Sequence, residues 1–226
     1  PAQVDYVDWA ERNIVFTKRE SEFPGPYNRK LFPYFDEILR ALSPDDPCRT
    51  VTVMGSAQVG KTVIANVFVG GSMAMDPGDF LFTHPTENNA VRWSKLKLLP
   101  MLRGTPALDR IFPSGSRDGA NSILMKEHID GLGAILISGA NSPSSLSQVT
   151  MRRQVQDDLA KWEMNTAGDP ESQADSRSRA SEFAKLLKTS TPLVMPGCRI
   201  TKSFEAGSQE MPYVPCPHCK HMQVLE

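Results

Sequence analysis

Gly55-Ser56-Ala57-Gln58-Val59-Gly60-Lys61-Thr62 satisfies every fixed position of the pattern G-x-x-x-x-G-K-[ST]. The residue types set the chemistry. Gly55 and Gly60 allow sharp, partly left-handed turns, so that successive backbone N–H groups, those of Ser56 to Val59 among them, converge on an anion. Lys61 brings a positive charge to the β- and γ-phosphates of a nucleotide, and the Thr62 hydroxyl is a ligand for Mg²⁺. The β-branched run Thr50-Val51-Thr52-Val53-Met54 predicts a strand before the loop, and Thr62 to Val69 predicts a buried helix after it. A phosphate chain would then sit on the N-terminus of that helix. A loop between strand and helix favours a bound nucleoside triphosphate over a bare glycine-rich turn.

Cleaving a triphosphate needs a second element: a strand ending in an acid that holds Mg²⁺, followed by a carboxylate that positions water. Asp157-Asp158 is the best candidate, with Asp157 on the metal side and Asp158 as the catalytic acid. Two features count against it. Gln154-Val155-Gln156 is a poor central strand, because strands buried on both faces are near-continuous apolar runs. Asp158 is also one methylene shorter than the Glu common at that place. The plainer alternative is a solvated acidic turn.

Positioning these groups requires alternating strands and helices. Phe80-Leu81-Phe82-Thr83, Ser122 to Lys126 and Gly133 to Ser138 read as strands, and Asn88 to Leu102 as a helix ended by Gly104 and Pro106. A loop spans Gly139 to Ser147, a polar helix follows the acidic pair, and Ala184 to Pro192 forms a further segment. Phe32, Phe35, Ile38, Leu39 and Leu42 are spaced as one helix face, expected to pack beside the loop's strand and border the nucleotide base. The alternation predicts an α/β fold, a three-layer P-loop NTPase with a mostly parallel central sheet and ligands at the carboxyl ends of its strands.

The chain has 226 residues, 40% of them hydrophobic, enough for a full core. The expected division is a lead-in over 1–45, a nucleotide-binding core over 46–205 and the start of a linker over 206–226. Pro1 in place of Met, and an end at Glu226 soon after a Cys pair, read as an excised piece. Net charge −1 argues against a broadly basic surface that coats nucleic acid. No apolar run reaches the roughly 20 residues of a membrane span. Among the four cysteines, Cys216 and Cys219 have C-x₂-C spacing with His221 nearby, half of a tetrahedral zinc site. The other half is not evident, and unligated thiols are the alternative. Arg92, Trp93, Lys95, Lys97 and Arg103 form a basic helix that reads as a solvated face before it reads as a DNA grip. Arg152 and Arg153 are placed to orient the acidic pair. Arg177 and Arg179, on the polar helix after Asp169-Pro170, are either surface charge or an arginine finger for a neighbour's nucleotide.

Taken together, Ser56 to Thr62, Asp157-Asp158, Leu187-Lys188-Thr189-Ser190-Thr191-Pro192 and Tyr213-Val214-Pro215-Cys216-Pro217-His218-Cys219 resemble the large terminase subunit, lambda-like type, of tailed bacteriophages. The resemblance covers most of the chain, and its specific part is the order of the last two elements. It implies the ATPase domain of a motor that couples Mg-ATP hydrolysis to moving double-stranded DNA into a procapsid. It also implies a nuclease domain in the parent chain, self-association into a ring on the capsid portal, a small terminase subunit as partner and work in the host cytoplasm rather than at a membrane. Thr189 to Thr191 would be the coupling segment, with Ser190 near the nucleotide. Two rivals stay open: a helicase-like ATPase working alone, and a nucleotide-binding assembly switch with little turnover.

Overall fold

The computed structural model describes residues 3–18, 23–112, 121–147, 150–193 and 197–224. Helix α1 (Tyr6–Asn13) starts at Asp5, whose carboxylate accepts from the N–H groups of Val7 and Asp8. A short antiparallel pair follows, β1 (Val15–Phe16) with β2 (Gly25–Pro26), and then α2 (Phe35–Ala41). The last is shorter than the apolar spacing predicts, and Phe32 closes a 3₁₀ turn ahead of it. Next come β3 (Thr50–Met54), α3 (Lys61–Met75), β4 (Phe80–His84) and α4 (Glu87–Trp93). The helix runs on through a π-turn at Ser94–Leu98 into α5 (Leu99–Gly104), so the expected 88–102 helix exists with one wide turn in its middle. The remaining elements are α6 (Pro106–Ile111), β5 (Met125–Glu127), β6 (Ala134–Gly139), α7 (Pro143–Ser147), β7 (Arg153–Gln156), α8 (Pro170–Ser176), β8 (Lys185–Ser190) and α9 (Arg199–Glu205). A separate antiparallel hairpin, β9 (Tyr213–Pro215) with β10 (Met222–Val224), completes the described chain.

The central sheet has six strands in the order β3-β8-β7-β4-β6-β5. All neighbours are parallel except β5 against β6. Side-chain alternation then makes three layers. Phe80, Phe82, Ile135, Ile137, Val155 and Leu187 face one apolar core with α1, α2 and α3, while Leu81 and Leu136 turn to a second with Leu159, Trp162 and Ile200. Helix α3 is buried from Ile64 to Met73, as its unbroken apolar sequence requires. Helix α1 crosses it closely at Gly71, where a Cβ would lie 2.6 Å from the Tyr6 ring.

Strand β7 overturns the expectation that Gln154-Val155-Gln156 is unfit for the sheet centre. It lies between β8 and β4 and is wholly buried, and each of its polar side chains has at least one anchor, although Gln154 Oε1, Gln156 Oε1 and Arg153 Nε have no partner among the described residues. Gln154 donates to the Ala174 carbonyl (2.8 Å) and the Ser178 hydroxyl (2.6 Å), and Gln156 to Asp175 (2.6 Å). Arg153, 1% exposed, donates to the Asp76 carbonyl (2.7 Å) and pairs with its carboxylate, as does Arg152. Arg152 and Arg153 therefore tie β7 to the end of α3 and are not what orients the acidic pair.

Candidate active site

Strand β3 delivers the chain to Gly55, whose N–H donates to the Ser190 carbonyl at the end of β8 (3.2 Å). The left-handed residues of the loop are Gln58 (φ 64°) and Gly60 (φ 84°), so a glutamine takes one of the turns that sequence assigned to Gly55. Gly60 has a second reason to be glycine. A Cβ there would lie 2.3 Å from Cζ of Phe35. Phe35 belongs to an aromatic cluster with Phe32 and Tyr34, and the Tyr34 hydroxyl donates to the Val59 carbonyl (2.9 Å). The N-terminal segment thus braces the loop itself from outside, whereas sequence placed it beside the loop's strand. Helix α3 begins at Lys61 and Thr62 with no side-chain cap and no acid in its first turn, which leaves its positive end open to an anion.

Lys61 folds back over the loop, donating to the carbonyls of Gly55 (3.0 Å) and Ser56 and to the Thr191 hydroxyl (3.1 Å). Burial pushes its pKa below the usual lysine value, opposed by Asp158 and then Asp157, while Lys161 adds to the fall. The acids at 157 and 158 are therefore both within electrostatic reach of the loop lysine. Two strand spacings of about 4.8 Å separate β3 from β7, leaving a gap of roughly 10 Å for phosphates and a cation. Strand β8 fills the floor of that gap.

Asp157 leaves β7 with its N–H on the Thr83 carbonyl (2.9 Å), and its own carbonyl accepts from the Trp162 indole (2.9 Å). One carboxylate oxygen accepts from the Thr189 hydroxyl (2.9 Å), and the other lies 3.2 Å from Nδ1 of His84. Burial alone would raise the pKa of Asp157. The His84 hydrogen bond and charge, the Thr189 hydroxyl and the Asp158 N–H outweigh it and hold the pKa below the usual carboxylate value. Asp158 is left-handed (φ 50°) and turns the other way, pairing with Lys161 at 2.7 Å while still partly exposed. The Ser190 hydroxyl accepts from the Ala160 N–H (3.1 Å) and donates to the Thr191 carbonyl (3.0 Å), so it is the Thr191 hydroxyl, and not that of Ser190, that touches Lys61.

A glycine-rich loop on a helix N-terminus with an acid two strands away is the apparatus of a P-loop NTPase, and known proteins narrow it further. A family profile described as "Phage terminase large subunit gpA, ATPase domain" matches residues 21–226. The chain belongs to this family. Its relatives include the terminase large subunit of Enterobacteria phage P21, 26% identical over 230 residues, covering 100% of this chain and 35% of that protein. The terminase large subunit of Escherichia phage lambda is 25% identical over 224 residues, covering 97% and 34%. The chain thus spans about a third of the length of these relatives. Among solved structures, the HK97 bacteriophage large terminase superposes with a TM-score of 0.61 at 14% identity, over 82% of this chain and 37% of that one. The large terminase ATPase domain of Thermus phage P74-26 gives 0.53 at 17% identity, over 89% and 78%. These two likenesses show the fold.

Other residues of this terminase ATPase domain sit apart from the loop. Arg177 caps the end of α8 and Arg179 lies beyond it, so neither is within the helix as sequence suggested. The Arg177 carbonyl accepts from the Met151 N–H ahead of β7, which puts both arginines at the amino edge of the sheet, opposite Lys61. On the basic helix, Trp93 is buried against Phe82 (ring centroids 3.9 Å apart), and Arg103 is engaged by Asp109 and the Phe112 carbonyl. Arg92 and Lys95 remain exposed. Cys216 and Cys219 occupy the turn of the β9–β10 hairpin, where the N–H groups of Cys219 and His218 lower the Cys216 thiol pKa. Among the described residues, no three His, Cys, Asp or Glu side chains gather as a metal site, so these thiols stand as a pair without the further ligands zinc requires. No helix among those residues is long and apolar enough to cross a membrane. Sequence reasoning missed His84 and Lys161. A single histidine after an apolar strand carries no local signal, and Lys161 is visible only as an i,i+3 partner of Asp158.

Proposed function

We propose that this ATPase domain binds Mg-ATP across the carboxyl edge of β3, β8 and β7, and that hydrolysis there drives double-stranded DNA into a procapsid. The observation that carries the reading is the meeting of Lys61, Asp157 and Asp158 around the end of β8 in a chain of this family. The N–H groups from Ser56 to Val59 and the N-terminus of α3 hold the phosphates. Lys61 exchanges loop carbonyls for phosphate oxygens, a stronger, charge-assisted contact. The Thr62 hydroxyl and the ionised Asp157 carboxylate are hard oxygen donors that suit magnesium. That ion, when bound, neutralises charge on the β- and γ-phosphate oxygens. Asp158 orients the attacking water and accepts its proton, which requires it to leave Lys161.

Strand β8 is the element suited to pass on phosphate loss. Thr189 touches Asp157, Thr191 touches Lys61, and Ser190 between them holds the turn after Asp158. We extend the reading to a parent chain with a nuclease domain after 226, to a ring of copies on the capsid portal fed by a small terminase subunit, and to action in the host cytoplasm. Within the proposed division into lead-in, core over 46–205 and linker, the start of a linker after 205 is supported by the β9–β10 hairpin, which forms a sheet of its own. The Asp158–Lys161 pair favours one alternative, an ATP-binding assembly switch with little turnover.

Lys61→Ala tests the assignment. In the parent protein it is expected to abolish both ATP hydrolysis and DNA packaging while the circular dichroism of the purified domain stays unchanged, because Lys61 contributes charge at the γ-phosphate and no core packing. Packaging at the normal rate by this variant would remove the loop from the mechanism. Packaging lost with ATP turnover retained would instead favour an ATPase uncoupled from DNA.

A further inference from the structure

Asp157 is gripped from both sides. Strands β8 and β4 flank β7, and each sends one side chain from its carboxyl end to a different oxygen of the same carboxylate: Thr189 at 2.9 Å and His84 at 3.2 Å. One donor would leave the carboxylate free to swing about its side-chain torsions, whereas donors on both oxygens fix its plane. Each oxygen keeps a further lone pair for another partner.

The imidazole is itself immobile. His84 is 4% exposed, stacked on Phe82 with centroids 4.8 Å apart and planes 18° from parallel, and packed against Trp93 at 5.3 Å. Nδ1 is the ring nitrogen turned toward Asp157, 3.2 Å from its carboxylate. Nε2 is then buried with no hydrogen-bond partner among the described residues. A phenylalanine would fill the same slot without leaving a buried polar atom unpaired. Packing alone gives no reason for histidine here; the bond to Asp157 does.

We propose that His84 is a positioning residue of the ATPase site, fixing the Asp157 carboxylate in the orientation that the magnesium–nucleotide complex requires. The proposal rests on the reading of Asp157 as the metal-side acid. His84 acts through Asp157, much as outer partners orient metal ligands elsewhere.

Three variants separate orientation from packing: His84→Phe keeps the aromatic stack and loses the donor, His84→Asn keeps a short donor and loses the stack, and His84→Ala loses both. Each is measured for thermal midpoint, for binding of a fluorescent ATP analogue across a Mg²⁺ titration, and for kcat and KM. His84→Phe is expected to keep the thermal midpoint while the Mg²⁺ concentration for half-maximal nucleotide binding rises about 10-fold or more, the usual size of such an outer-partner effect. Nucleotide binding without Mg²⁺ should not move, and His84→Asn should recover most of the lost Mg²⁺ response. A wild-type Mg²⁺ response in His84→Phe overturns the proposal. Asp157→Asn, run in parallel, identifies which idea failed: a shifted response there with none in His84→Phe sinks the histidine alone, and no shift in either sinks the Asp157 reading with it.

Discussion

Asp157 and Asp158 are neighbours in sequence with unlike surroundings, and the left-handed backbone at Asp158 is what parts them. Asp157 is half-buried, contacted on both carboxylate oxygens by Thr189 and His84 and held below the usual carboxylate pKa, whereas Asp158 is more exposed, with Lys161 as its counterion. Different losses follow. Asp157→Ala should weaken Mg²⁺-dependent nucleotide binding, because a hard oxygen ligand is gone. Asp158→Asn should bind nucleotide near normally and lose turnover by about 10²-fold or more, the size of a general-base contribution. Equilibrium binding and steady-state hydrolysis on both variants decide this, and small, equal effects on turnover would move the catalytic acid elsewhere, with Glu163 next in line. The loop and the acids were legible from sequence because their chemistry needs fixed residue types at short spacing. His84 was not, because its meaning comes from the β4–β7 register that sets it beside Asp157, more than seventy positions on.

Among the elements, β3, β4 and β6 announced themselves through apolar or β-branched runs, and the parallel sheet followed. Strand β7 did not, because what makes Gln154 and Gln156 tolerable in a sheet centre lies in residues 174–178, in and just after α8. Period and propensity do not report such distant anchors. The same helix is held by Lys188 of β8, which meets Glu171 at 2.8 Å and Asp175 at 2.9 Å. Burial pushes the Lys188 pKa down, but Asp175 and Glu171 together lift it above the ordinary lysine value. Removing one member of a largely buried ion pair strands its partners, which costs about 3 kcal/mol. Asp175 is one-third exposed, so the loss here should be nearer 2 kcal/mol after solvent screening. Lys188→Met is therefore expected to lower the urea midpoint of unfolding clearly, with an unchanged m-value. A loss within about 0.5 kcal/mol, the range of ordinary surface substitutions, would show that Glu171 and Asp175 simply re-solvate and that α8 is held by Ala174 and the β7 glutamines.

At the scale of the molecule, the two edges of the sheet carry different equipment. The carboxyl edge holds Lys61, Asp157, Asp158 and Lys161, while Arg177 and Arg179 lie at the amino edge. A strand of four to six residues spans roughly 13–20 Å, too far for either arginine to reach the phosphates of its own chain. They can serve a nucleotide only on another copy. Where a trans arginine is used, its absence costs about 10³ to 10⁵ in rate. With a net charge of −1 at pH 7, the isolated domain has no strong charge repulsion to oppose transient contact between copies. The expected behaviour is tight Mg-ATP binding, slow hydrolysis and a specific activity that climbs with protein concentration. A dilution series over several decades measures this, and mixing gives it direction. An Arg179→Ala variant with an intact loop, combined with a Lys61→Ala variant that keeps its arginines, should show more activity than either alone. A high specific activity independent of dilution, with no gain on mixing, would mean that the site is complete within one chain. Arg177 and Arg179 would then be surface charge, and Lys161, already beside Asp158, the added cation to test next.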